Sequence, residues 1–111
     1  MITFKKVIFC FLLIFVFVNI FYISPCYPLV LREDLFKNAL DLSSDGKFNL
    51  ALQEWNRYLD SYPDDAAGLS NRGNVRLIIG DLEGSIDDQN KAISLNPGEI
   101  DPYINRGIAE E

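Results

Sequence analysis

The sequence predicts an all-α fold, a solenoid of helix-turn-helix units preceded by an N-terminal hydrophobic helix, on three observations. The tripeptide Asn-Arg-Gly occurs at 71–73 and returns at 105–107, 34 residues further on. Other residue types fall into the same register: Gly46 with Gly80, Phe48 with Leu82, Ala51 with Ser85, Leu52 with Ile86, Pro63 with Pro97, and Leu35 with Leu69 and Tyr103. Apolar residues inside each period recur at the spacings of one helix face: Leu35, Leu42, Phe48 and Leu52, then Leu69, Leu77, Leu82 and Ile86. A repeat of this length is one supersecondary unit, which buries its apolar face only against its neighbours.

Ahead of the repeats, Lys5 and Lys6 precede a nearly unbroken run of Ile, Leu, Val and Phe from Val7 to Ile23, and no charge occurs from Val7 to Leu31. A basic start followed by an apolar run is the layout of a secretory signal or a membrane anchor, with the basic end on the cytoplasmic side. The repeats are then expected on the non-cytoplasmic side. The run is long for a signal and short for a span, so both readings stand. Ser24-Pro25-Cys26 offers a cleavage site after Cys26, and Pro25 and Pro28 are expected to stop any helix there. Lipidation of Cys26 is disfavoured by Pro25 immediately before it. Cys10 lies inside the apolar run, so the folded part holds no cysteine pair for a disulfide framework.

Helices are expected at 32–44, 48–61, 66–79, 82–95 and 100–111. Asp45-Gly46 and Gly80-Asp81 mark the turn inside each unit, since glycine accepts a left-handed backbone. Pro63 and Pro97 close each unit by forcing the preceding residue out of helix. Residues 1–28 are read as signal peptide or anchor and 29–111 as the repeat domain. Within it, 32–65 is repeat one, 66–99 repeat two, and 100–111 a partial third repeat or cap helix.

With Arg32, Ala66 and Ile100 as first positions, the chain resembles the tetratricopeptide repeat family. The matching residues are Leu35, Ala39, Ala51, Trp55 and Pro63, then Leu69, Gly73, Ser85, Ala92 and Pro97, then Tyr103 and Gly107. Departures are Tyr58 where the family prefers alanine, Arg76 and Gln89 where it prefers aromatics, and Asn38, Arg72 and Arg106 where it prefers leucine. Small residues such as Ala39, Gly73, Ala51 and Ser85 are expected where helices cross closely, and Trp55 in the core. Two units and a third of another make a short array, in which helix 100–111 acts as a cap that exposes Ile104 and Ile108.

The chain contains no histidine, and both cysteines precede the repeats, so the common nucleophile, base and metal-ligand sets are missing from the repeat domain. The chain is therefore read as no enzyme, with no cofactor and no metal. Asp64-Asp65 and Asp87-Asp88 are expected to be solvated acidic residues near a helix start and on an outer face. The stretch from Asp41 through Ser43, Asp45 and Gly46 imitates a calcium loop. It has Leu52 where the bidentate glutamate belongs, and is rejected. Lys5 and Lys6 are two of ten basic residues, leaving eight against sixteen acidic ones in the repeats, a formal charge of −8. No nucleic acid partner is expected from such a balance.

The resemblance implies a concave groove, lined by first helices, that takes an extended or helical peptide from another protein. Carried over by position, the groove residues are Phe36, Leu40, Ser43, Ser70, Asn74, Leu77, Ile78, Ile104 and Ile108, with Glu33, Ser44, Ala67 and Asp101 beside them. The family's carboxylate clamp lacks its cationic half, because Phe36, Ser70 and Ile104 stand where lysine or arginine belongs. Asn71-Arg72 and Asn105-Arg106 are expected to join adjacent repeats, with contact to a ligand as the alternative. The function expected is a noncatalytic interaction scaffold, exported or tethered, that binds a partner protein during assembly of a membrane or envelope complex. The alternatives are a recruiting arm of a larger enzyme, and a self-associating structural subunit.

Overall fold

The structure, a computed structural model, describes residues 27–111, with side chains from Leu31 onward. The expected signal or anchor, with Cys10 and Cys26, lies outside these residues. Five α-helices follow one another: α1 Tyr27–Ser44, α2 Phe48–Ser61, α3 Ala66–Ile78, α4 Leu82–Leu95 and α5 Asp101–Glu110. Arg32–Glu111 forms a compact unit of its own. Among the described residues, no helix is long and apolar enough to cross a membrane.

Helices α2 to α5 match the expected spans to within one residue at each end. The exception is α1, which begins at Tyr27 and runs through Pro28, where the sequence reading has a stop. Proline breaks a helix by removing an interior N–H and crowding the preceding turn; in the first turn that N–H has no partner to lose, so Pro28 is tolerated.

The turns α1–α2 and α3–α4 are the same device used twice. Lys47 N–H donates to Leu42 O at 3.0 Å and Gly46 N–H to Ser43 O at 3.2 Å; one period later Asp81 donates to Arg76 O at 2.9 Å and Gly80 to Leu77 O at 3.2 Å. This pair of bonds satisfies the last helical carbonyls only if the residue between has a left-handed backbone. Gly46 and Gly80 have φ of 74° and 87°. At the other joints Tyr62 (φ −131°) and Asn96 (φ −141°) leave the helix directly before Pro63 and Pro97, as the clash with a following proline ring requires.

Helix α3 packs against α2 and α4, and α5 lies against α4 and α3. The core of repeat one is aromatic. Phe36 on α1 meets Trp55 edge-on at 5.0 Å and Tyr58 at 5.3 Å, and Trp55 meets Tyr58 at 5.9 Å, all edge-to-face arrangements that suit ring quadrupoles. Trp55 is fully buried over Ala39 and Ala51, and its indole N–H donates to Ser43 Oγ at 3.0 Å.

Repeat two has a polar centre, built from the residues that depart from the family pattern. Asp88, expected to be solvated, is 4% exposed and accepts from Arg72 through both oxygens and from Arg76 Nη1 at 3.1 Å. A helix turns about 100° per residue, so Asp88 lies on the face of Ser85, Gln89 and Ala92, which points inward. Its neighbour Asp87 is exposed as expected. Gln89 fills the space above Gly73 and donates to Ser70 O at 3.1 Å.

Candidate functional site

The first helices of repeats two and three, α3 and α5, flank a hollow of about 350 Å³. Register positions two, five and nine of α3 supply Ala67, Ser70 and Asn74; positions two and five of α5 supply Asp101 and Ile104. Side chains at intervals of three and four share a helix face, so each helix contributes one stripe to the same wall. Ala92 closes the hollow from α4, and the connection to α5 adds Asn96 and Glu99.

Ser70, Asn74 and Ile104 of the expected groove are thus brought together. Leu77 is half-buried and Ile78 is exposed further along α3, and neither lines the hollow; nor does the exposed Ile108 on α5. On α1, Leu40 is exposed, as are the flanking Glu33 and Ser44. Phe36 and Ser43 are partly buried, and both are engaged with Trp55. Ser43 also donates to Ala39 O at 2.8 Å.

Sequence reasoning missed Asn96 and Glu99 as part of this wall, and Asn71 and Asn105, expected to join adjacent repeats, line it. Asn71 and Asn105 sit beside the tripeptide arginines, one register step from the expected groove residues, which was the available signal. Their amides carry both donors and acceptors, the pairing groups that an extended backbone needs. Asn71 already donates to Ala67 O at 2.9 Å. No lysine or arginine lines the hollow, while Glu99 and Asp101 do.

The two arginines of the tripeptide connect neighbouring repeats, as expected. Arg72 Nη1 donates to Asn56 Oδ1 at 3.1 Å, and Arg106 Nη1 to Asn90 Oδ1 at 2.9 Å, the same step of sixteen residues back to the preceding second helix. A further polar chain joins repeat one to the start of α3. Arg32 Nε donates to Tyr58 Oη at 3.1 Å and the Tyr58 hydroxyl to Asp65 Oδ2 at 2.6 Å. Asp65 is the residue before α3, yet its carboxylate caps no helix N–H. Burial pushes the Tyr58 hydroxyl above its ordinary pKa, and the bond to Asp65 adds to the shift.

The residues of the rejected calcium loop have other partners: Asp41 pairs with Lys37 one turn back, and Ser43 is held by Trp55.

No protein-family model matches the chain. It is 30% identical over 80 residues to zebrafish (Danio rerio) tetratricopeptide repeat protein 36, covering 68% of this chain and 43% of that protein. It is 26% identical over 83 residues to the bovine (Bos taurus) protein SGT1 homolog, covering 75% of this chain and 25% of that one. The chain therefore spans less than half the length of these curated relatives. Among solved structures, the TPR2B domain of yeast Sti1, in complex with pHsp70, superposes with a TM-score of 0.68 at 24% identity, covering 71% of this chain and 63% of that one. That likeness shows the fold. With the 34-residue register, the paired turn glycines and the named relatives, it makes this chain a tetratricopeptide-repeat-like protein, a fold that serves as a scaffold for protein–protein interaction.

Proposed function

We propose that the chain is a noncatalytic adaptor that holds a segment of another protein in the hollow between α3 and α5. The observation that carries this reading is the convergence of Ser70, Asn74 and Ile104 with Asn71 and Asn105 on one concavity. Asparagine amides pair with the backbone of an extended segment, and Ile104, 54% exposed, offers an apolar contact to its side chains. Leu40, Ile78 and Ile108 are exposed outside the hollow, and with the half-buried Leu77 they are assigned to the groove by repeat register alone. The solved Sti1 neighbour is a complex with pHsp70. In this chain Glu99 and Asp101 line the hollow without a cation, which favours a neutral or basic segment over an acidic tail.

The basic start and apolar run at Lys5 to Ile23 support export or tethering of the adaptor, and with it a role in assembling a membrane or envelope complex. Selection from a random peptide library tests the binding site. Peptides that bind the chain are expected to lose affinity at least about ten-fold in Asn74→Ala and Ile104→Asp; peptides indifferent to both substitutions remove the assignment. A reporter that is active only outside the cytoplasm, fused after Glu111, tests the location.

A further inference from the structure

The two turns built on Gly46 and Gly80 share one hydrogen-bond pattern but carry their aspartates in opposite order, Asp45-Gly46 in the first and Gly80-Asp81 in the second. That order governs a reaction of the backbone itself. An aspartate carboxyl can close onto the amide nitrogen of the next residue as a five-membered imide, and a side chain on that next residue hinders the closure. After Asp45 stands a glycine, with nothing within 4 Å of where a Cβ would be. Gly46 is exposed, and its N–H has one partner, Ser43 O at 3.2 Å. The Asp45 side chain is 64% exposed, with Lys47 Nζ standing off at 3.9 Å. After Asp81 stands Leu82, the first residue of α4, and the Asp81 carboxylate is held as that helix's N-cap, accepting from Gly84 N–H at 3.0 Å.

We infer that Asp45-Gly46 is a site of spontaneous aspartate isomerisation, which rebuilds the turn between α1 and α2 through a β-linked backbone. The Gly46 nitrogen attacks Cγ of the protonated Asp45 carboxyl; the N–Cγ bond forms, the amide proton and the carboxyl hydroxyl leave together as water, and a succinimide closes. Water then adds to one ring carbonyl and breaks its bond to nitrogen. Breaking N–Cγ restores aspartate, whereas breaking the bond to the α-carbonyl leaves the chain running through Cγ, with the α-carboxylate free. One water is lost and one regained, and no other reactant is needed. The isomer inserts a methylene into the main chain just before Gly46. The bonds from Gly46 N–H to Ser43 O and from Lys47 N–H to Leu42 O span that point, so both donors are displaced from the last carbonyls of α1. Ser43, which holds the Trp55 indole, lies inside the disturbed turn, while the equivalent turn of repeat two keeps its bonds.

The test is to age the full chain, in detergent micelles, in heavy-oxygen water at neutral pH and physiological temperature. Trypsin then releases residues 38–47, between Lys37 and Lys47, and electron-transfer fragmentation distinguishes isoaspartate from aspartate within them. Isoaspartate carrying one heavy oxygen is expected at position 45, forming several times faster than at Asp41 or Asp81. Asp45→Glu, which keeps the charge but needs a six-membered ring, is expected to abolish it. In aged chains the Lys47 amide is expected to lose hydrogen-exchange protection in proportion to the isomer, while the Asp81 amide keeps its own. Equal rates at positions 41, 45 and 81 overturn the proposal, as does an isomerised chain with Lys47 still protected. Isomerisation in a synthetic peptide of residues 38–47 but not in the folded chain also overturns it, because the fold then holds the two groups apart.

Discussion

Arg72 and Asp88, sixteen residues apart, form a two-pronged ion pair, with Nε to Oδ2 at 2.8 Å and Nη2 to Oδ1 at 2.7 Å. The planar guanidinium matches both carboxylate oxygens, a geometry that lysine does not reproduce. Arg76 adds a third bond from the next turn of α3, so one aspartate holds two turns of the helix facing it. The pairing is a matter of specificity as much as strength, because burying charges costs nearly what their attraction returns.

Removing one partner is predicted to be far worse than removing all three. Asp88→Asn leaves two largely buried guanidinium groups without their shared counter-charge, a loss of about 3 kcal/mol. Arg72→Met, Asp88→Leu and Arg76→Met combined are expected to recover most of it. Urea unfolding of the single and triple variants measures both; a single-variant loss below about 1 kcal/mol contradicts the role given to the pair.

Two glycines in one register position are predicted to respond with opposite sign. Gly73→Ala drives a methyl into the Gln89 amide and disturbs its bond to Ser70 O, at a cost of about 1–3 kcal/mol. Gly107→Ala meets no neighbour and gains helix propensity, up to about 0.5 kcal/mol in the last turn of α5. Melting temperatures of the two variants decide this.

Alkaline pH is predicted to weaken the joint between the repeats through Tyr58. Its pKa is raised in the folded state, first by burial and then by Asp65, so the neutral hydroxyl is the form that folding favours. The stabilisation is complete below the unfolded value, near 10, and is lost as pH rises through it towards the folded value. Tyr58→Phe is expected to lower stability by about 1–2 kcal/mol at pH 7, since a bond to a charged acceptor disappears. It also flattens the decline above pH 10. Urea titrations at pH 7 and 10.5 for both proteins check the sign.

Ser43 is predicted to act on stability. Ser43→Ala removes the acceptor of the buried Trp55 indole N–H, at a cost of about 1–2 kcal/mol, with a change in tryptophan emission that reports on this one residue. Selected peptides are expected to bind the variant with unchanged affinity, as the hydroxyl is already occupied on both sides.

The period was legible because each repeat needs the same expensive features: a left-handed residue at Gly46 and Gly80, a helix stop at Pro63 and Pro97, and a small residue where helices cross. The start of α1 was not, because a proline stops a helix only from its interior and position along the helix is not written in the residue. Asp88 was misjudged by type: a charged residue beside another reads as surface. Its spacing of three from Ser85 and four from Ala92 put it on the buried face nonetheless. The hollow was half legible. Ser70, Asn74 and Ile104 follow from register, while Asn96 and Glu99 come from the connection before α5, whose path no periodicity describes.

The most direct test of the adaptor reading is photo-crosslinking from two positions in the cell that expresses the chain: Asn74 in the hollow, and Leu50, exposed on α2 away from it. Protein adducts from position 74, absent from position 50 and competed by selected peptides, are the predicted result. Adducts from position 50 with none from position 74 contradict it, and place the interaction on the second helices instead.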